Sequence, residues 1–132
     1  MTQLATAMDR RAALAGYRTV SLEARVAAAD PHTLVAMLFE RLTAQLRAAH
    51  AAAQDHDNSA RLRATERALA IVDNLDATLD QKRGGAAARH LHDLYLLLRE
   101  KLLAGDAAGL GQAVDSAVNI TAAWRQIAPQ VR

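Results

Sequence analysis

The sequence LHDLYLLLREKLL occupies residues 91–103 and determines how the rest of the chain must pack. Successive residues on an α-helix are rotated by about 100°, so the five consecutive apolar side chains from Leu94 to Leu98 surround the helix instead of forming one stripe. A helix of this kind needs apolar neighbours on more than one side. Its cover has to come from the rest of the chain, from a second copy or from a partner.

The composition predicts one soluble helical domain comprising residues 1–132. Alanine and leucine dominate, β-branched residues are few, and both prolines lie where helices begin or end. There are no cysteines, no signal-peptide pattern and no apolar run of about 20 residues, so we expect a cytoplasmic protein without stable membrane insertion. The 16 basic residues are spread among 14 acidic ones without a basic stripe, which argues against nucleic acid as a partner.

Capping residues and glycines divide the chain into four predicted helices. Asp30-Pro31 starts a helix that runs to about Asp55, and the polar cluster 55–59 starts a second that runs to about Gln81. Gly84-Gly85 stops the chain before a third helix, from about Ala86 to Ala104, and Gly105-Asp106 precedes a fourth that runs to about Ile127. Such short connections predict an all-α, antiparallel up-down four-helix bundle over residues 30–128, with an additional N-terminal segment, residues 1–29, packing on it.

Each predicted helix carries an apolar stripe at helical spacing. The stripes are Leu34, Leu38, Leu42, Leu46 and Ala49 in the first helix; Ala68, Val72, Leu75 and Leu79 in the second; Leu91, Leu94, Tyr95, Leu98 and Leu102 in the third; and Leu110, Val114, Ala117, Thr121 and Trp124 in the fourth. Leu96, Leu97 and Leu103 remain outside these stripes, as do Val35 and Phe39 of the first helix. The chain therefore has more apolar surface than a four-helix core requires.

Three kinds of cover fit this surplus. The segment before Asp30 contains Leu14, Tyr17, Val20, Leu22 and Val26, which are enough for a fifth packing element. The other two are self-association and a partner helix lying in a groove. Composition does not choose among them.

The sequence shows no set of residues typical of an active site, a metal site or a cofactor site. Asp73, Asp76 and Asp80 share one helix face, but a solvated acidic face has the same spacing. Neither a Glu-x-x-His pair of the di-iron type nor a phosphate-binding loop is present. We therefore expect a protein that is not an enzyme and needs no cofactor or metal; a metal hydrolase on the three aspartates ranks last among the hypotheses.

Several short motifs, in order, resemble the flagellin export chaperone family of the FliS type. They are Tyr17, Ala29-Asp30-Pro31, Leu34-Val35, Met37-Leu38-Phe39, Leu79-Asp80-x-x-x-Gly84-Gly85, Leu91-x-x-Leu94-Tyr95 and Trp124. The resemblance covers about residues 17–127. Members often continue with Asp-Gly where this chain has Glu40-Arg41, and Leu96-Leu97 replace a usual Asp-Tyr, which makes this part of the third helix more apolar.

The resemblance implies a cytoplasmic chaperone that wraps the C-terminal segment of flagellin around its apolar surface. Bound in this way, flagellin is kept from premature polymerisation and is delivered to the flagellar type III export gate. The resemblance also implies that the segment around Tyr17 and Val20 lies over apolar surface in the free protein and is displaced by the client.

We expect client contact on two of the helices. The predicted contact residues are Leu34, Met37, Leu38 and Phe39 of the first helix and Leu94, Tyr95, Leu97 and Leu98 of the third, with Tyr17, Val20 and Val26 as the switchable cover. For each of them the alternative is that it packs the bundle core. The alternative function is a structural helical-bundle protein that homodimerises through its surplus apolar surface, and a weak homodimer is also compatible with the chaperone.

Overall fold

The computed structural model describes residues 30–127, which form four α-helices and, within that range, no β-strand. Helix α1 spans Pro31–Gln54, α2 spans Asn58–Ala77, α3 spans Gln81–Ala104 and α4 spans Ala107–Gln126. The helices pack as a bundle around one apolar core, so the predicted all-α four-helix fold is confirmed. The predicted N-terminal cover, Tyr17, Val20 and Val26, lies outside the described residues.

Three of the helices begin at an aspartate that caps the helix. Asp30, Asp57 and Asp106 each accept a hydrogen bond from the backbone N–H three residues further on, at 2.8, 3.1 and 2.9 Å. These bonds satisfy N–H groups that have no partner inside the helix, and replacing such a cap by alanine costs about 0.5–2 kcal/mol. The predicted starts at Asp30 and Asp106 are confirmed, and Asp57 identifies the cap within the polar cluster.

Two of the connections share one design, in which a residue with positive φ is followed directly by a capping aspartate. His56 (φ 55°) precedes Asp57, and Gly105 (φ 74°) precedes Asp106. At the end of α1, the N–H of Asp57 donates to the carbonyl of Ala52 and the N–H of His56 to that of Ala53, the bond pattern of a Schellman motif. One residue ends a helix and the next begins another, so the connections are very short.

The connection between α2 and α3 differs from the sequence prediction. Helix α2 ends at Ala77 and not near Gln81, because the Thr78 hydroxyl donates to the carbonyl of Leu75 at 2.8 Å while its N–H is shared between the carbonyls of Asn74 and Leu75. Leu79 therefore packs on the core from the connection and not from the helix.

Helix α3 begins at Gln81, earlier than the predicted Ala86. Gly84-Gly85 does not precede the helix but interrupts it after its first turn, since Gly85 has φ 53° and ψ −128°. The regular part of α3 follows this kink, so the glycine pair still sets where that part starts. The predicted break at Gly84-Gly85 is therefore confirmed, and what the sequence did not predict is the helical turn that precedes it.

The core takes side chains from all four helices. Its members are Phe39, Leu42, Leu46 and Ala49 of α1; Ala64, Ala68, Val72 and Leu75 of α2; Tyr95, Leu98 and Leu102 of α3; and Leu110, Ala113, Val114 and Ala117 of α4. Burying one leucine fully contributes about 1.5–3 kcal/mol relative to leaving it exposed. Alanines make up half of the core side chains of α2 and of α4, and the predicted stripes are buried along most of their length.

Contacts between α1 and α4 lie beside this core. The rings of Phe39 and Trp124 meet edge to face, with centroids 5.9 Å apart and an angle of 72° between their planes. Glu40 forms an ion pair with Arg125 next to them. Phe39, predicted to lie off the main stripe, is a core residue with 1% of its surface exposed.

We predict that Gly85→Ala destabilises the protein by about 1–3 kcal/mol, because the backbone angles of Gly85 are accessible almost only to glycine. A Cβ atom there would meet nothing within 4 Å, so the cost comes from the backbone and not from a clash. Chemical denaturation measures it. In a regular helix the same change would stabilise by about 0.5–1 kcal/mol, and that opposite sign would contradict the kink.

Candidate functional site

Helix α3 has one side in the core and exposed leucines outside it, so the bundle covers only part of its apolar run. Tyr95, Leu98 and Leu102 form the core side and are at most 2% exposed. Leu96, Leu97 and Leu103 are 45, 43 and 67% exposed. The surplus predicted from the sequence is therefore present as exposed leucine surface on the described part of the molecule.

The side of α3 next to α2 combines a histidine–aspartate contact and an ion pair with two exposed leucines. His92 Nδ1 lies 2.7 Å from Asp76 Oδ1, and Arg99 pairs with Asp73. Leu96 and Leu103 follow His92 at spacings of four and eleven, so helical periodicity puts them on this same side. Exposed pairs of this kind contribute about 0.2–1 kcal/mol each, so they fix the register of α2 against α3 more than they stabilise it.

The side of α3 next to α4 carries the other predicted contact residues. Lys101 Nζ donates to Gln112 Oε1 of α4 at 2.5 Å, which defines the direction of α4. Leu97 and Leu94 precede Lys101 by four and seven residues and lie on the same side. Leu94 is half-buried against the core, whereas Leu97 is exposed. Together they form an apolar strip along the seam between α3 and α4, here called the α3–α4 strip.

The predicted contact residues of α1 divide by burial. Leu34, Met37 and Leu38 are half-buried, whereas Phe39 is in the core. Because Phe39 and Glu40 contact α4, helical periodicity puts Leu38 on the side of α1 that points away from α4. Met37 precedes Glu40 by three residues and therefore lies on the same side of α1 as Glu40.

The structure does not bring the predicted contact residues into one groove. Leu38 points away from α4, whereas the α3–α4 strip lies beside α4, so these predicted contact residues lie on different sides of the bundle. Phe39, Tyr95 and Leu98 are buried between them as part of the core. Their burial favours the alternative that they stabilise the fold, and the proposals below do not depend on their contacting a partner.

The acidic face of α2 has a structural explanation. Asp73 pairs with Arg99 and Asp76 with His92, so two of the three aspartates weighed as metal ligands face cationic or hydrogen-bonding side chains of α3. Within residues 30–127 there is no group of three or more histidine, cysteine, aspartate or glutamate side chains placed to hold a metal ion.

A pocket lies where the α1–α2 connection meets the α3–α4 connection. Its polar lining includes His56, Asp57, Arg61 and Asp106. Asp57 and Asp106 already cap helices, and the Arg61 guanidinium bonds to Asn58 Oδ1 and lies over Gly105. These polar groups already stabilise the connections at this end of the bundle. The pocket therefore gives no indication of a ligand.

Sequence reasoning missed two large exposed apolar residues within the helices. Leu62 of α2 is 53% exposed and Val118 of α4 is 38% exposed. Leu62 stands between Arg61 and Arg63 in a polar stretch, where no apolar stripe draws attention to it. The available signal was its spacing of seven from Leu69 and eleven from Asp73, which puts it on the side of α2 that faces α3.

Within residues 30–127, the fold alters the titration of Tyr95. Its burial, and to a smaller extent the negative charge of Asp76, raise the pKa of the phenol well above its usual range. An unfolded tyrosine loses its proton near pH 10, so above that pH the unfolded chain releases a proton that the folded chain retains. Stability contributed by neutral Tyr95 is therefore complete below about pH 10 and is lost as the pH rises further.

We predict that the melting temperature falls above about pH 10 and that Tyr95→Phe reduces this fall, because phenylalanine has no proton to lose. Thermal unfolding followed by circular dichroism across this range measures the effect. The difference in melting temperature between parent and variant at neutral pH is the reference. Parallel alkaline losses in the two proteins would show that Tyr95 is not responsible.

Within the part of the chain that the structure describes, none of the helices is long and apolar enough to cross a membrane.

Comparison with known proteins gives one consistent result. A family described as "Flagellar protein FliS" matches residues 13–131. The chain is 36% identical over 119 residues to a flagellar secretion chaperone FliS of Salmonella typhimurium, covering 86% of this chain and 88% of the relative. It is 28% identical over 124 residues to a FliS of Vibrio cholerae, with 91% of each covered, and 31% identical over 91 residues to a FliSB of Pseudomonas aeruginosa, with 69% and 72% covered.

Proposed function

Because the chain belongs to the FliS family of flagellar secretion chaperones, and so to a family of chaperones rather than enzymes, we propose that its client is flagellin. A chaperone role in flagellar export follows from the family. The proposal adds that the chain binds the disordered C-terminal segment of flagellin in the cytoplasm, prevents its premature polymerisation and delivers it to the flagellar type III export apparatus.

The observation that carries this proposal is the exposed Leu97 beside the half-buried Leu94 on the α3–α4 strip. Large apolar side chains left at a helix seam are what an amphipathic client segment covers when it lies in a groove. Lys101 and Gln112 form a polar end to this strip. An apolar strip with a polar boundary suits a helix or extended segment that buries one face and leaves the other in water.

The separation of Leu38 from the α3–α4 strip supports a wrapped client. A rigid globular partner would meet only one of two sides of a bundle, whereas an unfolded segment follows the surface and contacts both. Met37 and Leu38 would then bind one part of the client, with Leu34 beside them, while Leu94 and Leu97 bind another.

The N-terminal segment has a proposed role when no client is bound. Tyr17, Val20 and Val26 would cover apolar surface in the free protein and yield it to the client. An internal cover of this kind lowers the apparent affinity, because the client must displace it before binding.

Coupled folding and binding also limits the affinity. A disordered segment loses about 2–5 kcal/mol or more of the gross interaction energy in becoming ordered, so a long interface still gives a complex that dissociates. Reversible binding suits a chaperone that has to release its client at the export apparatus, and it needs no nucleotide.

We predict saturable binding of one C-terminal flagellin segment per chain, with a negative heat-capacity change, because the client buries apolar surface. Isothermal titration of the full chain with flagellin segments from the same organism measures both quantities. The N-terminal flagellin segment is the control and is expected not to bind. Absence of binding to the C-terminal segment would overturn the flagellin proposal while leaving the family assignment in place.

We predict that Leu97→Asp weakens this binding at least about tenfold, equivalent to about 1.4 kcal/mol, with unchanged helix content. The matched control is Leu96→Asp, which changes the neighbouring residue of nearly equal exposure on the other side of α3 and should leave flagellin binding intact. Equal losses of flagellin binding in both variants would show that the client does not bind specifically to the α3–α4 strip. Melting of Leu97→Asp would show that Leu97 stabilises the fold.

A further inference from the structure

Lys101, at one end of the α3–α4 strip, bonds to an uncharged partner. It is half-buried, and its Nζ donates to Gln112 Oε1 of α4 at 2.5 Å. An ammonium group has three N–H donors, so two remain after this bond. Within residues 30–127 Lys101 forms no ion pair, although Asp115 lies one helical turn beyond Gln112. The strip therefore ends in a positive charge that this part of the chain does not neutralise.

The contacts at two other helix seams use carboxylates where this one uses an amide. Aspartates of α2 contact α3, and Glu40 of α1 pairs with Arg125 of α4. A glutamate at the position of Gln112 would hold α4 against α3 in the same way and would also neutralise Lys101. The register between α3 and α4 therefore does not require a neutral group there, and the amide leaves the charge of Lys101 available to a partner.

This charge lies within reach of the apolar part of the strip. The two leucines of the strip precede Lys101 by four and seven residues, which corresponds to about 6 and 10 Å along the helix axis. Alongside them, α4 contributes the uncharged Ser116 and Asn119, which follow Gln112 by four and seven residues. A segment that lies on the strip therefore meets leucine side chains, uncharged polar groups and, at one end, the ammonium group.

We infer that Lys101 is a specificity-determining residue, which selects a client segment with an aspartate or glutamate one or two helical turns from the apolar residues that cover the strip. The client carboxylate accepts hydrogen bonds from the ammonium donors that Gln112 leaves unused, and such charge-assisted bonds are stronger than bonds between neutral groups. A lysine or arginine at the same place in the client is repelled. Lys101 thus discriminates among apolar segments that would otherwise bind alike.

This role rests on the proposed function, because the strip has to be the client site before its charge can act on the client. A client that wraps two sides of the bundle continues beyond the strip, so the carboxylate at Lys101 belongs to a side chain and not to the end of the client chain. The two sources of a carboxylate carry the same charge, and amidating the end of the client separates them.

Isothermal titration of the full chain with the C-terminal flagellin segment measures the contribution of Lys101. Lys101→Gln removes the charge and can still bond to Gln112, so it should weaken binding about three- to tenfold with an unchanged melting temperature. Added salt should weaken binding to the parent more than binding to this variant. The matched control is Arg89→Gln, which removes an exposed charge seven residues before Leu96, on the side of α3 next to α2, and should bind as the parent does.

A second variant separates recognition of the client from stability of the fold. Gln112→Glu gives Lys101 a carboxylate partner inside the chain, so it should preserve or raise the melting temperature while weakening client binding as Lys101→Gln does. If Lys101 only holds α3 against α4, Gln112→Glu binds the client as the parent does, and that result would overturn the inference.

Changes in the client identify the carboxylate without altering the chaperone. Each aspartate and glutamate of the C-terminal flagellin segment is replaced in turn by asparagine or glutamine, and each client is titrated with the parent and with Lys101→Gln. One replacement should weaken binding to the parent about three- to tenfold and leave binding to Lys101→Gln nearly unchanged, as a direct pair does in a double-mutant cycle. Amidation of the end carboxylate should change binding to both proteins equally.

The outcomes distinguish this inference from the flagellin proposal. If the parent binds the segment and Leu97→Asp weakens binding, but Lys101→Gln binds as tightly as the parent, then flagellin is the client and Lys101 has no part in selecting it. If amidation is the change that couples to Lys101, the end of the client lies there and the assignment to a side chain is wrong. If the parent does not bind the segment at all, both proposals fail.

Discussion

The structure depends on the need of helix α3 to be packed on more than one side. A helix with one apolar stripe is satisfied by a bundle core, but α3 also carries leucines at positions 96, 97 and 103. Neither α2 nor α4 covers these leucines, and the seams on either side of α3 hold polar groups as well, the Asp76–His92 pair on one and Lys101 with Gln112 on the other. The result is a well-packed bundle with apolar surface left on two sides of a single helix, a feature typical of proteins that bind partners.

The polar groups around α3 are structural. Asp73 and Asp76 could have been a metal site in isolation, but opposite them α3 presents Arg99 and His92 at matching spacing. Charged pairs at a seam contribute little stability, yet a shifted register would leave each of them unpaired. Asp76 also lies near the buried Tyr95. The carboxylate that sets the register of α2 against α3 therefore also helps keep the phenol neutral.

The sequence was sufficient for the helix count, the capping aspartates and most of the core, because these follow from local patterns. It was insufficient for Phe39, whose burial depends on the edge-to-face contact with Trp124 more than eighty residues away. It located the break at the glycine pair, where Gly85 is non-helical, but not the helical turn that precedes this break. The number of apolar residues in α3 was enough to predict that some of its leucines are exposed. The side of α3 that each leucine occupies became clear only from the contacts that α3 makes with Asp73 and Asp76 of α2 and with Gln112 of α4.

The shared design of the α1–α2 and α3–α4 connections has a consequence for how the chain folds. Each places a positive-φ residue directly before a capping aspartate, so two helices are joined by three residues in one case and two in the other. Closing such short loops takes little entropy, so joining each of these helices to its successor adds little to the entropy cost of folding. The Asp73–Arg99 and Asp76–His92 pairs align α2 with α3, whose connection lacks this design.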